Sequence, residues 1–146
     1  MKFGPIHIDH IGIATAQLDG ASEFWNLLGL KQADQDETVV DQGVTTRFFS
    51  TSEEPENSSA HPPMVELLEP TSEDTPIGRF LAKRGPGVQQ ICFRVGDLLG
   101  LIQHLKDNGV VMIDEKPRMG AGGKQIAFVH PKSTGGVLVE LTESPR

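Results

Sequence analysis

Asp9-His10-Ile11-Gly12-Ile13 recurs eighty positions later as Gln89-Gln90-Ile91-Cys92-Phe93. The match continues without a gap, so that Leu18 falls on Leu98, Gly20 on Gly100 and Gly29 on Gly109. A second pair, Val65-Glu66-Leu67 and Val139-Glu140-Leu141, closes the two copies. A chain that repeats one unit builds two related half-sheets, and matching positions in each can grip one ligand. The polar side chains at those positions are His10, Glu66, Gln90 and Glu140.

Outward from this repeat, Ile6, Ile8, Ile11 and Ile13 predict a strand over residues 6–15. Asp19 or Gln17 opens a helix whose apolar face is Ala21, Phe24, Trp25 and Leu28, and Gly29 stops it. Gln42-Gly43 marks a turn, and residues 44–49 and 64–68 read as strands. Between them, residues 51–63 are rich in Ser, Glu, Pro and Asn and predict a mobile loop. A short linking helix is expected over 75–85, with Thr75 as its cap, Pro76 in its first position and Gly85 at its end. The second copy predicts a strand over 88–95 and a helix opened by Asp97, with Leu98, Leu101, Ile102 and Leu105 on one face and a stop at Gly109. Strands over 110–113, 125–130 and 137–141 follow. Each half is therefore a strand, a helix and three strands. The first module covers about residues 6–70 and the second about 88–143 of a single domain.

The 146 residues suit one domain, which buries roughly two thirds of its unfolded surface. The single cysteine, Cys92, lies in an apolar run and reads as a small buried hydrophobe, and it leaves no internal disulfide. No apolar stretch approaches the ~20 residues of a membrane span, and no signal-peptide pattern opens the chain, so the cytoplasm is the expected location. The net charge of −7 argues against nucleic acid as a partner. Residues 1–76 hold 3 basic and 14 acidic side chains, whereas residues 77–146 hold 10 basic and 6 acidic. Such asymmetry fits solvated surface charge, and equally a basic rim that receives an anionic small molecule.

Glu66 and Glu140 each stand in mid-strand between Val and Leu, pointing to the face opposite their neighbours. That face either meets solvent or lines a cavity in which a carboxylate must be paired or metal-bound. His10 taken alone reads as a hydrogen-bonded core histidine. Taken together, His10, Glu66, Gln90 and Glu140 offer one nitrogen and three oxygens. That set suits a divalent Zn, Co, Ni or Mn ion acting as a Lewis acid. The loops 120–123 (Gly-Ala-Gly-Gly) and 133–136 (Ser-Thr-Gly-Gly) can bring backbone amides to a ligand.

Several segments carry a family resemblance: residues 8–14 (IDHIGIA), 65–70 (VELLEP), 76–81 (PIGRFL), 114–118 (DEKPR) and the long run 120–141. Through them the chain resembles the methylmalonyl-CoA epimerase family of the vicinal oxygen chelate superfamily. The resemblance implies an α+β fold of two tandem βαβββ modules forming a cupped mixed β-sheet around a metal site. It also implies His10, Glu66 and Glu140 as metal ligands. Gln89-Gln90 stands where the family has two consecutive histidines, the second of them a ligand, so Gln90 takes the fourth place. In some glyoxalase I enzymes the ligands are likewise one Gln, one His and two Glu.

The activity so implied is interconversion of (R)- and (S)-methylmalonyl-CoA through an enolate, with one proton carrier on each side of C2. Glu140 is the first expected carrier. The family's second falls in register on Thr46, which cannot serve, and Asp41 is the substitute considered. Gly120, Gly122, Gly123, Lys124, Lys132 and Ser133 are expected to hold the acyl-CoA substrate, with Arg118 adding charge. Two other functions are compatible with the resemblance: a glyoxalase I-like lactoylglutathione lyase, and a metal-free small-molecule-binding protein. A homodimer is expected, because an open sheet edge invites pairing.

Overall fold

A computed structural model of the chain describes residues 2–53 and 62–143. The elements run β1 (His7–Ala14), α1 (Leu18–Leu28), β2 (Lys31–Gln32), β3 (Glu37–Val39), β4 (Val44–Ser50), β5 (Met64–Pro70), α2 (Pro76–Arg84), β6 (Gly87–Val95), α3 (Leu98–Asp107), β7 (Arg118–Met119), β8 (Gln125–Val129) and β9 (Val139–Glu143). The fold class is α+β, as the resemblance implied. The chain divides into two units: His10–Gln89, and the residues up to Asp9 together with those from Gln90 onward. Most of the expected 51–63 loop lies outside the described residues.

In the His10–Gln89 unit the strands run β2-β4-β5-β1, with β3 also on β4. β1 and β5 are parallel, and β5 and β4 antiparallel. Leu18 of α1 packs on Phe49 and Leu67 of the sheet, with Ile13, Trp25 and Val65 around them. Each of the three central side chains contributes about 1.5–3 kcal/mol on burial. Thr75 caps α2 by accepting from Gly78 N at 3.0 Å, and Pro76 opens it. Of the expected face of α1, Ala21 and Trp25 pack on this core, and the other two positions are corrected. Phe24 and Leu28 are 60% and 59% exposed, while Leu18 and Ser22 are buried. A polar clamp sets this rotation. Arg47 of β4 donates from Nη1 to Ser22 Oγ at 2.8 Å, and its Nε and Nη2 fork onto the two Asp36 oxygens, each at 2.8 Å.

In the other unit the order is β6-β9-β8-β7. β6 and β9 are parallel, β8 and β9 antiparallel. Leu98 and Ile102 of α3 pack on Val95, Ala127, Val129 and Leu141. The N-terminal segment belongs here: Ile6 packs on this core, Gly96 N donates to Phe3 O at 2.9 Å, and Phe3 lies 5.1 Å from the His104 ring. The expected strand over 110–113 is also corrected, since only the bridge Met112–Val129 forms there. Ile113 N and Asp114 N both turn to Phe128 O, while the Asp114 side chain takes Phe128 N at 2.9 Å. With that ladder position occupied by a side chain, regular pairing on β8 passes to β7. The two- and three-residue strands β2, β3 and β7 are too short to show alternation in the sequence.

The repeat is visible in hydrogen bonds and register. Gly12 lies beside Glu66, and Cys92 beside Glu140. Phe48 faces Glu66 on the next strand, and Phe128 faces Glu140. Glu69, three residues past Glu66, accepts from Leu18 N at 3.2 Å at the start of α1. Glu143, three past Glu140, accepts from Leu98 N at 3.1 Å at the start of α3. Each unit thus ties its helix to its last strand in the same way, satisfying an N-terminal amide and placing negative charge at the positive end of the helix.

Candidate active site

Strand alternation explains why Glu66 and Glu140 turn away from the helices. In β5, Leu67 points toward α1 and Glu66 to the opposite face. Leu141 and Glu140 do the same in β9. Both carboxylates are nonetheless buried, at 3% and 5% exposure, so the solvent-facing alternative does not hold for either. His10 Nε2 lies 3.1 Å from Glu66 Oε1, and the imidazole meets the Phe48 ring edge-on at 5.6 Å. In the other unit Gln90 Nε2 donates to Glu140 Oε1 at 3.2 Å. The structure thus sets His10 beside Glu66 in one unit and Gln90 beside Glu140 in the other.

The donor chemistry fits a divalent first-row ion. One pair sets an imidazole nitrogen beside a carboxylate. In the other, the Gln90 amide nitrogen faces Glu140 and leaves the carbonyl oxygen as its donor for a cation. Burying a carboxylate is costly unless it is paired, hydrogen-bonded or bound to a cation. Gly12 and Cys92, next to the two glutamates, place only small groups there.

The remaining expected residues are more scattered in role. Asp41 is exposed on the 3₁₀ turn Val40–Gln42. Thr46 is buried on the face of Glu66, and Glu37 of β3 stands opposite it in the ladder, so the register puts the Glu37 side chain on that face too. Gly122 and Gly123 both have φ of 71°, a conformation that favours glycine. The amides of Gly120 and Gly123 are engaged within the loop, bonding Lys124 O at 2.8 Å and Gly120 O at 3.2 Å. A Cβ on Gly120 would sit 2.8 Å from Ile126, so glycine is required there by packing. Ser133 Oγ accepts from Val111 N at 2.9 Å, and Lys132 is exposed on the same 3₁₀ turn. Arg118 stays near Asp114, at 3.1 Å.

Two residues went unassigned in the sequence. Arg94 and Asp9 are both buried and pair at 3.2 Å, and Lys124 Nζ lies 4.0 Å from the same Asp9 oxygen. The signal for Arg94 was the period of two, since it shares a strand face with Gln90 and Cys92.

Residues 9–128 match the family described as the Glyoxalase/Bleomycin resistance protein/Dioxygenase superfamily. The chain is 43% identical over 137 residues to the uncharacterized protein YqjC of Bacillus subtilis, covering 93% of this chain and 91% of that protein. It is 38% identical to the mitochondrial methylmalonyl-CoA epimerase of Dictyostelium discoideum, covering 97% of this chain and 81% of that one. Among solved structures, a methylmalonyl-CoA epimerase in complex with methylmalonyl-CoA and NH4+ superposes with a TM-score of 0.86 at 37% identity, covering 97% of this chain and 96% of the other. The chain belongs to the glyoxalase/bleomycin resistance protein/dioxygenase superfamily, on the branch that includes the methylmalonyl-CoA epimerases.

Proposed function

We propose that this chain is an epimerase that interconverts (R)- and (S)-methylmalonyl-CoA. One observation carries the reading. In a chain similar over nearly its whole length to named epimerases, the repeat buries two carboxylates at matching strand positions, each with a nitrogen-bearing partner about 3 Å away. His10, Glu66, Gln90 and Glu140 would hold a divalent ion, with Zn, Co, Ni and Mn all compatible. When bound, that ion supplies electrostatic stabilisation of the charge that develops on the thioester oxygen.

The chain's own residues do the rest. Glu140, held in place by the Gln90 amide, takes the C2 proton on one side. Inversion requires a second carrier on the other side. It comes from the His10–Gln89 unit, where Glu37 and Asp41 are the acids considered: Glu37 for its position opposite Thr46, Asp41 for its place on the turn just before β4. Lys124, Lys132 and Ser133 with the 120–123 loop hold the acyl-CoA substrate. The two modules act as one domain, and the working form is a cytoplasmic homodimer. Among the described residues no helix is long and apolar enough to cross a membrane.

The test is exchange at C2. Methylmalonyl-CoA incubated in heavy water with the metal-loaded protein gains deuterium at that carbon. Glu140→Gln lowers the rate by about 10²–10⁴-fold, the contribution of a positioned general acid–base. Wild-type protein with metal bound and no exchange sinks the assignment. A lactoylglutathione lyase would instead turn over the glutathione hemithioacetal of methylglyoxal.

A further inference from the structure

Two buried arginines in this chain are partnered very differently. Arg47 spends Nε and Nη2 on both oxygens of Asp36 and Nη1 on Ser22, so its donors are accounted for as a structural clamp. Arg94 is 8% exposed, and its Nη1 reaches one oxygen of Asp9 at 3.2 Å. Its Nη2 has no hydrogen-bond partner among the described residues. Native proteins rarely leave such a donor unpaired, and a bound ligand is one established reason for doing so. The neighbouring hydroxyl does not fill the place, because Thr142, beside Arg94 in the ladder, directs its Oγ1 to Gln125 O at 2.9 Å.

Charge points the same way. Lys124 Nζ lies 4.0 Å from the Asp9 oxygen that Arg94 already holds. Among the described residues, these ion pairs therefore set two cations against one carboxylate, which offsets one of them. The Lys124 side chain is 31% exposed, which gives a route in from solvent. Arg94 shares its strand face with Gln90, four residues and about 13 Å away at a strand's rise.

We propose that Arg94 Nη2 and Lys124 Nζ form an oxyanion-binding subsite, anchored by Asp9. It takes a carboxylate or a phosphate group. An acyl-CoA bearing a free carboxylate carries both, and only this choice of ligand rests on the epimerase reading. A guanidinium and an ammonium in this arrangement make charge-assisted hydrogen bonds to either group.

The experiment is a titration of the full chain, followed by amide chemical shifts of residues 120–125, with inorganic phosphate, adenosine 3′,5′-bisphosphate and methylmalonate as separate probes. Saturable shifts are expected with at least one probe, and Arg94→Gln and Lys124→Gln each weaken binding by about tenfold or more. Lys124→Gln lies at the surface and decides the matter if Arg94→Gln fails to fold. A response to the bisphosphate assigns the subsite to the coenzyme's phosphates, and a response to methylmalonate alone assigns it to the acyl carboxylate. Both uphold it. No saturable shift with any probe, or wild-type affinity in the Lys124 variant, overturns it. Intact anion binding without C2 exchange would keep the subsite and discard the epimerase reading.

Discussion

His10 and Gln90 occupy one position in the two copies, yet one brings an imidazole and the other an amide to its glutamate. If Gln90 ligates the ion through its weaker carbonyl donor, Gln90→His tightens binding of zinc or cobalt by about ten- to a hundredfold, the scale of ligand-shell changes. Competition with a chromophoric chelator measures it, and an unchanged affinity removes Gln90 from the ligand set. The second proton carrier is resolved by comparing Glu37→Gln with Asp41→Asn. The variant that matters keeps exchange starting from one epimer and loses it from the other. Arg47 makes a prediction of a different kind. Its hydrogen bonds hold the Asp36 carboxyl below the usual carboxylate range. A lowered folded-state value means the stabilisation is complete above the ordinary value of about 3.9 and fades as pH falls through the lower folded value. The stabilities of wild type and Asp36→Asn, read from acid unfolding curves, should therefore differ fully above about pH 4 and draw together progressively as pH falls below it, meeting only beneath the lowered folded value. The pairing of His10 with Glu66 and of Gln90 with Glu140 was legible because the repeat prints those positions twice. Arg94 and Glu37 were not, since their importance depends on a missing partner in one case and on strand register in the other.

At the level of elements, the matching bonds from Glu69 to Leu18 and from Glu143 to Leu98 act as remote caps on α1 and α3. Glu69→Ala and Glu143→Ala should each cost about 0.5–2 kcal/mol, as loss of a helix cap does, in denaturant titrations. α3 retains its own cap, Asp97, which accepts from Gly100 N at 2.9 Å, whereas Gln17 makes no such bond at α1. The Glu69 change is therefore expected to be the larger. Helix positions were readable from capping residues and stop glycines, and α2 with its Thr75-Pro76 start and Gly85 end matched closely. The facing of α1 was legible only in part, because counting apolar residues cannot foresee that a serine is drawn inward by an arginine three elements along. The expected strand over 110–113 failed for a related reason: Asp114 competes with the backbone for Phe128.

At the scale of the whole chain, the repeat suggests two halves that break between α2 and β6, but the fold divides elsewhere. Phe3, Ile6 and Asp9 are partners of Gly96, the α3 core and Arg94, so the second copy is completed by the first residues of the chain. A fragment covering residues 87–146 alone should give a poorly dispersed amide spectrum, and adding a peptide of residues 1–14 should restore order. A well-folded isolated fragment would contradict this. No periodicity in the sequence announces such an exchange, because Ile6 and Ile8 alternate equally well as the start of the first copy. In connectivity, His10–Gln89 is one long excursion spliced into a host unit that owns both chain ends. Held by its two termini in an optical trap, the molecule would load the host first. The inserted half, with its histidine, would be mechanically shielded until that host had torn open.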